Sequence, residues 1–462
     1  MKTLARIFIE QPTLMKLPRP IIPKAARDPI MLFCISAMIL AARMAHADDW
    51  PQFRGPNRDA VWQETNIIQT FPKAGLVVRW RVPVGYGLSS PVVAQGRVYL
   101  IDAELKKPKA QERVHCWDEK TGASLWTHVY DVTYPDWAFD AQQMTGPNST
   151  VIVQDSKLFA IGATGQLLCL DAVKGAVLWE RQLTADYGLE SFSGITPSLL
   201  IEGNLLTLVI GGKPDACVVA LEKSTGKEVW RALSDKWTHS SPIVINAGGQ
   251  RQLIVWTPDS ATALNPATGE TWWRQELTVA GLLATVPTPV LKDDLLLFSG
   301  MMLQLDAAKP TMKVLWPTKL TGTQRILSQS SIPIILGDHV FSGKMPGGKL
   351  VCLEALTGKQ VWETDKVTNK SMGSTIHLTP NGDSVLIFTD EGNLIRARLT
   401  PQGYEELSRV HVIDPVYTFS GRKVVWPPPA YANQHIFVRD EAEMICASLE
   451  VPGGSSAKLR AR

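Results

Sequence analysis

LVCLEALTGKQVW, running from Leu350 to Trp362, is the stretch from which the fold can be read. Leu350 and Cys352 alternate with Val351 and Leu353, the two-residue period of a strand. Thr357-Gly358 supplies a tight turn, and a second short strand ends on Trp362. The same phrase recurs as VHCWDEKTGASLW ending at Trp126, LLCLDAVKGAVLW at Trp179, VVALEKSTGKEVW at Trp230 and TALNPATGETWW at Trp273. LQLDAAKPTMKVLW, ending at Trp316, is a weaker copy, and IRARLTPQGYEEL ends at Leu407 with no tryptophan.

With the earlier Trp80 of VVRWRV, the repeat ends are spaced by 46, 53, 51, 43, 43, 46 and 45 residues. A period of roughly 40–50 residues built from short strands predicts a β-propeller, one four-stranded blade per repeat. A blade cannot bury both faces alone. One large aromatic per blade, at Trp80, Trp126, Trp179, Trp230, Trp273, Trp316 and Trp362, suits the packing of neighbours. Leu76 to Val84 reads as a lone strand, while VWPPPAYA, HIFVRD and MICASLE at the far end supply three strands without a fourth. Pairing the Trp80 strand with that last group closes the ring, hides both terminal edges and sets the count at eight blades. The expectation is therefore an all-β, eight-bladed β-propeller over residues 76–450.

The acidic or Asn residue, the Thr-Gly turn and the closing Trp resemble the quinoprotein (PQQ-type) propeller repeat, over about Trp80 to Leu449. The resemblance implies a quinoprotein-alcohol-dehydrogenase-like fold. It does not choose an activity, because the repeat is shared by quinoprotein alcohol dehydrogenases and by non-catalytic propellers such as the lipoprotein of the outer-membrane barrel-assembly machinery.

Residues 1–47 stand apart. Arg19, Lys24 and Arg27 precede an apolar run, Ile30 to Ala42, and Ala45-His46-Ala47 has the small-residue form of a cleavage site. These features predict a signal peptide, with translation alternatively starting at Met15 or Met31, and an exported product in the periplasm or outside the cell. The run is shorter than the ~20 residues of a membrane span, so none is expected after cleavage. Cys34 follows Phe33 rather than a small residue, which does not make a lipobox. Residues 1–47 hold seven Lys/Arg and two Asp/Glu, so the rest of this +3 chain carries −2. Nothing favours nucleic acid as a partner. Cys116, Cys169, Cys217, Cys352 and Cys446 remain, with no CxxC, and read as buried small hydrophobes. Residues 451–462 read as a disordered tail.

Residues 48–75, opening with DDWPQFRGPNRDAVW, precede the first repeat. They resemble a segment found on many bacterial PQQ-like propeller proteins. Arg54 and Arg58 are read either as ligand contacts or, the favoured reading, as caps on carbonyls in a tail that packs Trp50 and Phe53 on the propeller.

Each blade opens with a small-residue phrase, among them SSPVV at 89, ITPSLLI at 195, SSPIVI at 240 and SSIPIIL at 330, which suits inner strands crowding an axis. The connections before these phrases gather at one end of the channel. They carry Trp137, Tyr187, Trp237, His239, Arg325, Lys370, Arg422 and Trp426, the expected ligand-binding set.

A quinoprotein dehydrogenase would need oxygen ligands for Ca²⁺ and a carboxylate base. Asp136 and Asp235 are the candidate bases; Asp140, Asn148, Glu190 and Asp414 are further oxygen donors, without the spacing of a cage. The resemblance also implies a disulfide between adjacent cysteines as the quinone's lid, and no Cys-Cys pair occurs here. No HxH, HExxH, GxSxG or phosphate-loop motif is present, so no metal site is expected. The favoured function is a non-catalytic propeller binding a small ligand or an envelope protein. The alternatives are a PQQ- and Ca²⁺-dependent alcohol or sugar dehydrogenase, and a scaffold in outer-membrane protein assembly.

Overall fold

The computed structural model describes residues 49–452 apart from 141–144, 190–194, 278–285, 318–326, 329, 345–346 and 370–372. Seven four-stranded antiparallel sheets follow one another along the chain in simple meander order, and an eighth combines one strand from the start of the propeller with three from its end. The Trp126 blade is typical: Val92–Ala94 inside, then Arg97–Lys106, Lys109–Asp118 and Ser124–Val132 at the rim. The repeat LVCLEALTGKQVW forms the outer half of its own blade, with Lys349–Glu354 pairing to Gln360–Thr364.

The ring closes as the strand count requires. Val78–Pro83 is the outer strand of the last sheet, antiparallel to Glu443–Ser448, with Trp80 opposite Cys446. Both ends of the propeller thus share one blade, and no terminal sheet edge is left open.

The tryptophans join blade to blade. Each indole donates to a carbonyl at the turn of the next blade: Trp80 to Glu119 (2.8 Å), Trp126 to Ala172 (3.2 Å), Trp179 to Lys223 (3.2 Å), Trp230 to Pro266 (3.1 Å), Trp316 to Ala355 (2.7 Å) and Trp362 to Thr400 (2.8 Å). Its ring lies against the turn glycine, Gly122, Gly175, Gly226, Gly269 or Gly358, where a β-carbon would come within 2.6–2.8 Å of the indole. This explains the Thr-Gly…Trp repeat: the glycine of one blade receives the tryptophan of the previous one.

Two seams depart from the rule. Trp273 donates instead to Gln252 Oε1 of its own blade (2.8 Å), because the next turn carries Lys309-Pro310 in place of glycine. A groove of about 480 Å³ lies there, lined by Asn246, Arg251, Asp293, Asp294 and Asp306 among others. At the seventh blade the repeat ends on Leu407, and the N-terminal segment fills the seam. Trp62, Ile67, Ile68 and Phe71 join one core cluster with Phe388 and Val410 of the seventh blade and Tyr431 and Ile436 of the eighth. The Asn381 amide donates to the carbonyls of Trp62 and Glu64, and Arg396 Nη2 to that of Ile68.

The small-residue phrases have a second reason besides crowding. Their hydroxyls tie each inner strand to the next: Ser90 N to Thr150 Oγ1, Thr150 N to Ser198 Oγ, Ser198 N to Ser241 Oγ, and farther round Ile376 N to Ser331 Oγ, at 2.9–3.2 Å. Inner strands are edges, so backbone donors facing the axis need such partners. All five described cysteines, Cys116, Cys169, Cys217, Cys352 and Cys446, are free and buried. No helix among the described residues is long and apolar enough to cross a membrane.

Candidate functional site

The interblade loops and the turns between second and third strands share one end of the channel, and the aromatics converge there in two clusters. The larger sits on the seventh and eighth blades. The Trp426 ring packs on Phe419 (4.8 Å between centroids) and Tyr417 (5.6 Å), and its Nε1 donates to Gly373 O (3.2 Å). A short hairpin, Tyr417–Phe419 with Arg422–Val424, presents these rings. His377 Nε2 donates to Trp426 O (2.8 Å), and burial pulls the imidazole down to about 4, so the ring is neutral at pH 7.

Arg422 flanks this aromatic surface. Its Nη2 bonds Asp390 Oδ2 (2.5 Å) and Ser374 Oγ (3.2 Å), whereas Nε and Nη1 are buried without a partner among the described residues. Asp390 is fully buried and also accepts from Thr368 Oγ1 and Thr375 N. Burial pushes its carboxyl above the usual range, against the hydrogen bonds from Arg422, Thr368 and Thr375. Glu441, on the neighbouring turn, is pushed up to about 7 by burial, with Arg439 opposing. It acts electrostatically on Tyr417, so a carboxyl that titrates near neutrality lies beside the rings.

The second cluster stands on the third and fourth blades. Trp237 meets His239 edge-on, centroids 4.8 Å apart at 86°, and His239 Nδ1 shares a 2.6 Å hydrogen bond with Thr196 Oγ1. Burial pulls His239 down to about 4. Trp137 is half-buried against Tyr134 and Ala138 beside the first blade.

Several expected roles change. Tyr187 does not reach the channel: it is buried, donates to Glu228 Oε2 on an outer strand (2.8 Å), and carries Arg181 over its ring at 5.5 Å. Asp235 is not a free base. It accepts from Thr257 Oγ1 and Ser260 Oγ, each at 2.6 Å, and pairs with Arg274 at 3.0 Å. Asp136 is exposed at the start of a one-turn 3₁₀ helix, Asp136–Phe139. Asn148 Oδ1 accepts from Leu88 N, and Asp414 pairs with His411. Arg325, Lys370 and Glu190 lie outside the described residues. Among the described residues no three His, Cys, Asp or Glu side chains gather as a cation site.

Asp390 and Glu441 lie not on the interblade loops but on turns between second and third strands. The second-to-third turns open on the same face, and the phrases TDEG at 389–392 and RDEA at 439–442 mark both acids.

A family model described as outer membrane protein assembly factor BamB matches residues 73–214 and 214–450. Among curated proteins, the chain is 28% identical over 167 residues to the quinoprotein alcohol dehydrogenase PedH of Pseudomonas putida, covering 33% of this chain and 27% of that one. It is 24% identical over 257 residues to BamB of Moranella endobia, covering 51% and 62%, and 25% identical over 198 residues to BamB of Bordetella pertussis, covering 42% and 47%. The chain thus spans less than two thirds of the length of each of these relatives. Among solved structures, BamB from Moraxella catarrhalis aligns with TM-score 0.54 at 15% identity, over 80% of this chain and 99% of that one. The quinohemoprotein alcohol dehydrogenase from Comamonas testosteroni aligns with TM-score 0.62 at 14% identity, over 89% and 82%. Those two likenesses speak to the fold, whereas the family match runs through all eight repeats: this chain belongs to the PQQ-like propeller family described as outer membrane protein assembly factor BamB.

Proposed function

We propose that this chain is an exported, non-catalytic propeller that binds an envelope protein through the face bearing the interblade loops. One observation carries the reading: Phe419 and Trp426, both partly exposed, pack around the buried Tyr417 beside Arg422, two of whose nitrogens are buried without a partner among the described residues. Aromatic surface beside an arginine is the composition of protein-binding hot spots. Trp237, His239 and Trp137 extend the contact set across the same face, and the reading keeps Arg325 and Lys370 in the set on the sequence alone. Asp235, one of the two candidate bases, is engaged by Thr257, Ser260 and Arg274.

Two relatives bear the name outer membrane protein assembly factor, and that supports a partner in the envelope. In this reading residues 1–47 are a signal peptide removed on export to the periplasm, 48–75 are a tail belonging to the propeller of 76–450, and 451–462 are a disordered tail.

The test is site-specific photocrosslinking in cells, with the reactive group at Trp426, at Trp237, and at the outer-strand control Leu178. Crosslinks to an envelope protein from the first two positions and not from Leu178 support the reading. A parallel assay adds PQQ and Ca²⁺ to the purified protein. Quinone absorbance retained after desalting, with dye reduction by ethanol or glucose, overturns the reading in favour of a dehydrogenase.

A further inference from the structure

The opposite end of the channel holds a separate site. Residues 50–62 cross it as a strap against the inner strands. Trp50 exchanges backbone hydrogen bonds with Val93, Pro51 O accepts from Val153 N, and Trp62 N donates to Pro380 O while its ring lies 5.3 Å from Tyr431. These partners belong to the inner strands of the first, second, seventh and eighth blades. Trp62 and the residues flanking the strap, Asp49 and Glu64, meet the first hairpins at Asn381, Gln95 and Gln434, which fixes the strap at the end away from the interblade loops.

Two arginines are folded into this strap, only 6% and 8% exposed at Arg54 and Arg58. The expected carbonyl caps are present: Arg54 Nη2 donates to Asp59 O (3.2 Å) and Arg58 Nη1 to Leu199 O (2.7 Å). They do not satisfy Arg58. Its Nη1 also reaches Gln52 Oε1, but Nε and Nη2 are buried with no partner among the described residues. Those two atoms form the side-on edge of the guanidinium, the edge that takes an oxyanion through two parallel hydrogen bonds. Elsewhere in this protein the same edge takes both oxygens of a carboxylate: Arg113 on Asp102, Arg251 on Glu202, Arg274 on Glu276 and Arg409 on Glu406.

Charge points the same way. The nearby carboxylate, Asp59, is exposed and spends Oδ1 on Val61 N. Burial pulls Arg58 down to about 9, with the charge of Arg54 adding to the effect, and burial pulls Arg54 down to about 10 against the pull of Asp59. Two like charges are thus buried side by side without a matching pair of anions, an arrangement that costs stability unless an anion completes it. The strap keeps Arg54, Arg58 and Ala60 in the left-handed region, at φ of 64°, 59° and 61°, which the surrounding contacts must enforce.

We propose that Arg54 and Arg58 form a binding site for a small oxyanion, of carboxylate or phosphate type, at the strapped end of the channel, with Arg58 Nε and Nη2 holding two of its oxygens. The site does not depend on what the opposite face binds.

The test is thermal unfolding of the purified protein titrated with inorganic phosphate, with acetate, or with chloride at matched ionic strength. Stabilisation by a native-state ligand grows with its concentration over Kd. The expected result is a concentration-dependent rise in Tm with phosphate, acetate or both beyond that with chloride, and the stronger of the two identifies the oxyanion class. Arg58→Gln should weaken the effect by roughly tenfold or more, as should Arg58→Lys, which keeps the charge and loses the fork. Arg79→Gln, an exposed control paired with Glu450, should leave it unchanged. Equal responses of the wild-type protein to all three anions overturn the proposal, and this arm needs no variant to fold. An undiminished response in folded Arg58→Gln overturns it as well.

Discussion

Gly358 faces the indole of Trp316 across the seam between the fifth and sixth blades, so closely that a β-carbon on Gly358 would stand 2.6 Å from the ring. The contact joins the two halves of the repeat, a turn glycine and a closing tryptophan, on different blades. Gly358→Ala should therefore cost about 3 kcal/mol, from overpacking together with a positive φ. Gly337→Ala, with a similar φ but open space around it, should cost about 1 kcal/mol. Urea unfolding midpoints of the two variants measure the difference, and equal costs would remove the interblade role of the tryptophan.

Trp62 is part of the apolar filling of the seventh seam, where the repeat ends on Leu407. It is 1% exposed and lies 5.3 Å from Tyr431. Trp62→Ala should cost about 3–5 kcal/mol, the usual range for a buried large aromatic. A loss below about 1 kcal/mol in chemical unfolding would mean that the seam holds without it.

Asp235 is a structural carboxylate. Asp235→Asn should cost about 2–3 kcal/mol by leaving Arg274, Thr257 and Ser260 without their charged acceptor. Crosslinking from Trp426 should be unchanged in the folded variant. Unaltered stability with loss of a dye-reduction activity would restore Asp235 as a base.

Acid should act on the two buried histidines and Glu441 in opposite senses. His239 and His377 are held near 4, below the ordinary 6.5. Above 6.5 they contribute nothing; as pH falls from 6.5 to 4 the unfolded chain takes up their protons and the folded state loses stability. The loss should be on the order of 1–2 kcal/mol for each by pH 5. Glu441, held near 7 against an ordinary 4.5, is protonated first in the folded state, so its contribution grows as pH falls from 7 to 4.5. His239→Gln should flatten the fall in Tm between pH 7 and 5. Glu441→Gln should steepen that fall and raise Tm at pH 8.

How much of this could be read from the chain follows from what is local. Strand, Thr-Gly turn and Trp lie within thirteen residues of Leu350–Trp362, so blade number and ring closure were legible from spacing. The phrases beginning SSPVV and SSPIVI marked the inner strands, although crowding alone did not reveal their hydroxyl links. Side-chain partnerships were not legible, because they join distant residues. Asp235 is settled by Arg274 from an outer strand, Tyr187 by Glu228, and Arg58 by Leu199 on the third blade. Nor did the missing tryptophan at Leu407 announce that Trp62, Ile67, Ile68 and Phe71, from the other end of the chain, would fill that seam.

The pairing of Val78–Pro83 with Glu443–Ser448 also constrains how the molecule can be made. Val78–Pro83 is synthesised before any blade exists, yet its hydrogen-bonding partner is the last strand to emerge from the ribosome. Until then the chain carries an unsatisfied β-edge at each end of a growing arc, the kind of edge that recruits other chains. Contacts between such remote positions also form slowly. A nascent chain stopped short of residue 443 can build most of its sheets but never the clasp, and it should be far more prone to aggregation and proteolysis than the finished molecule.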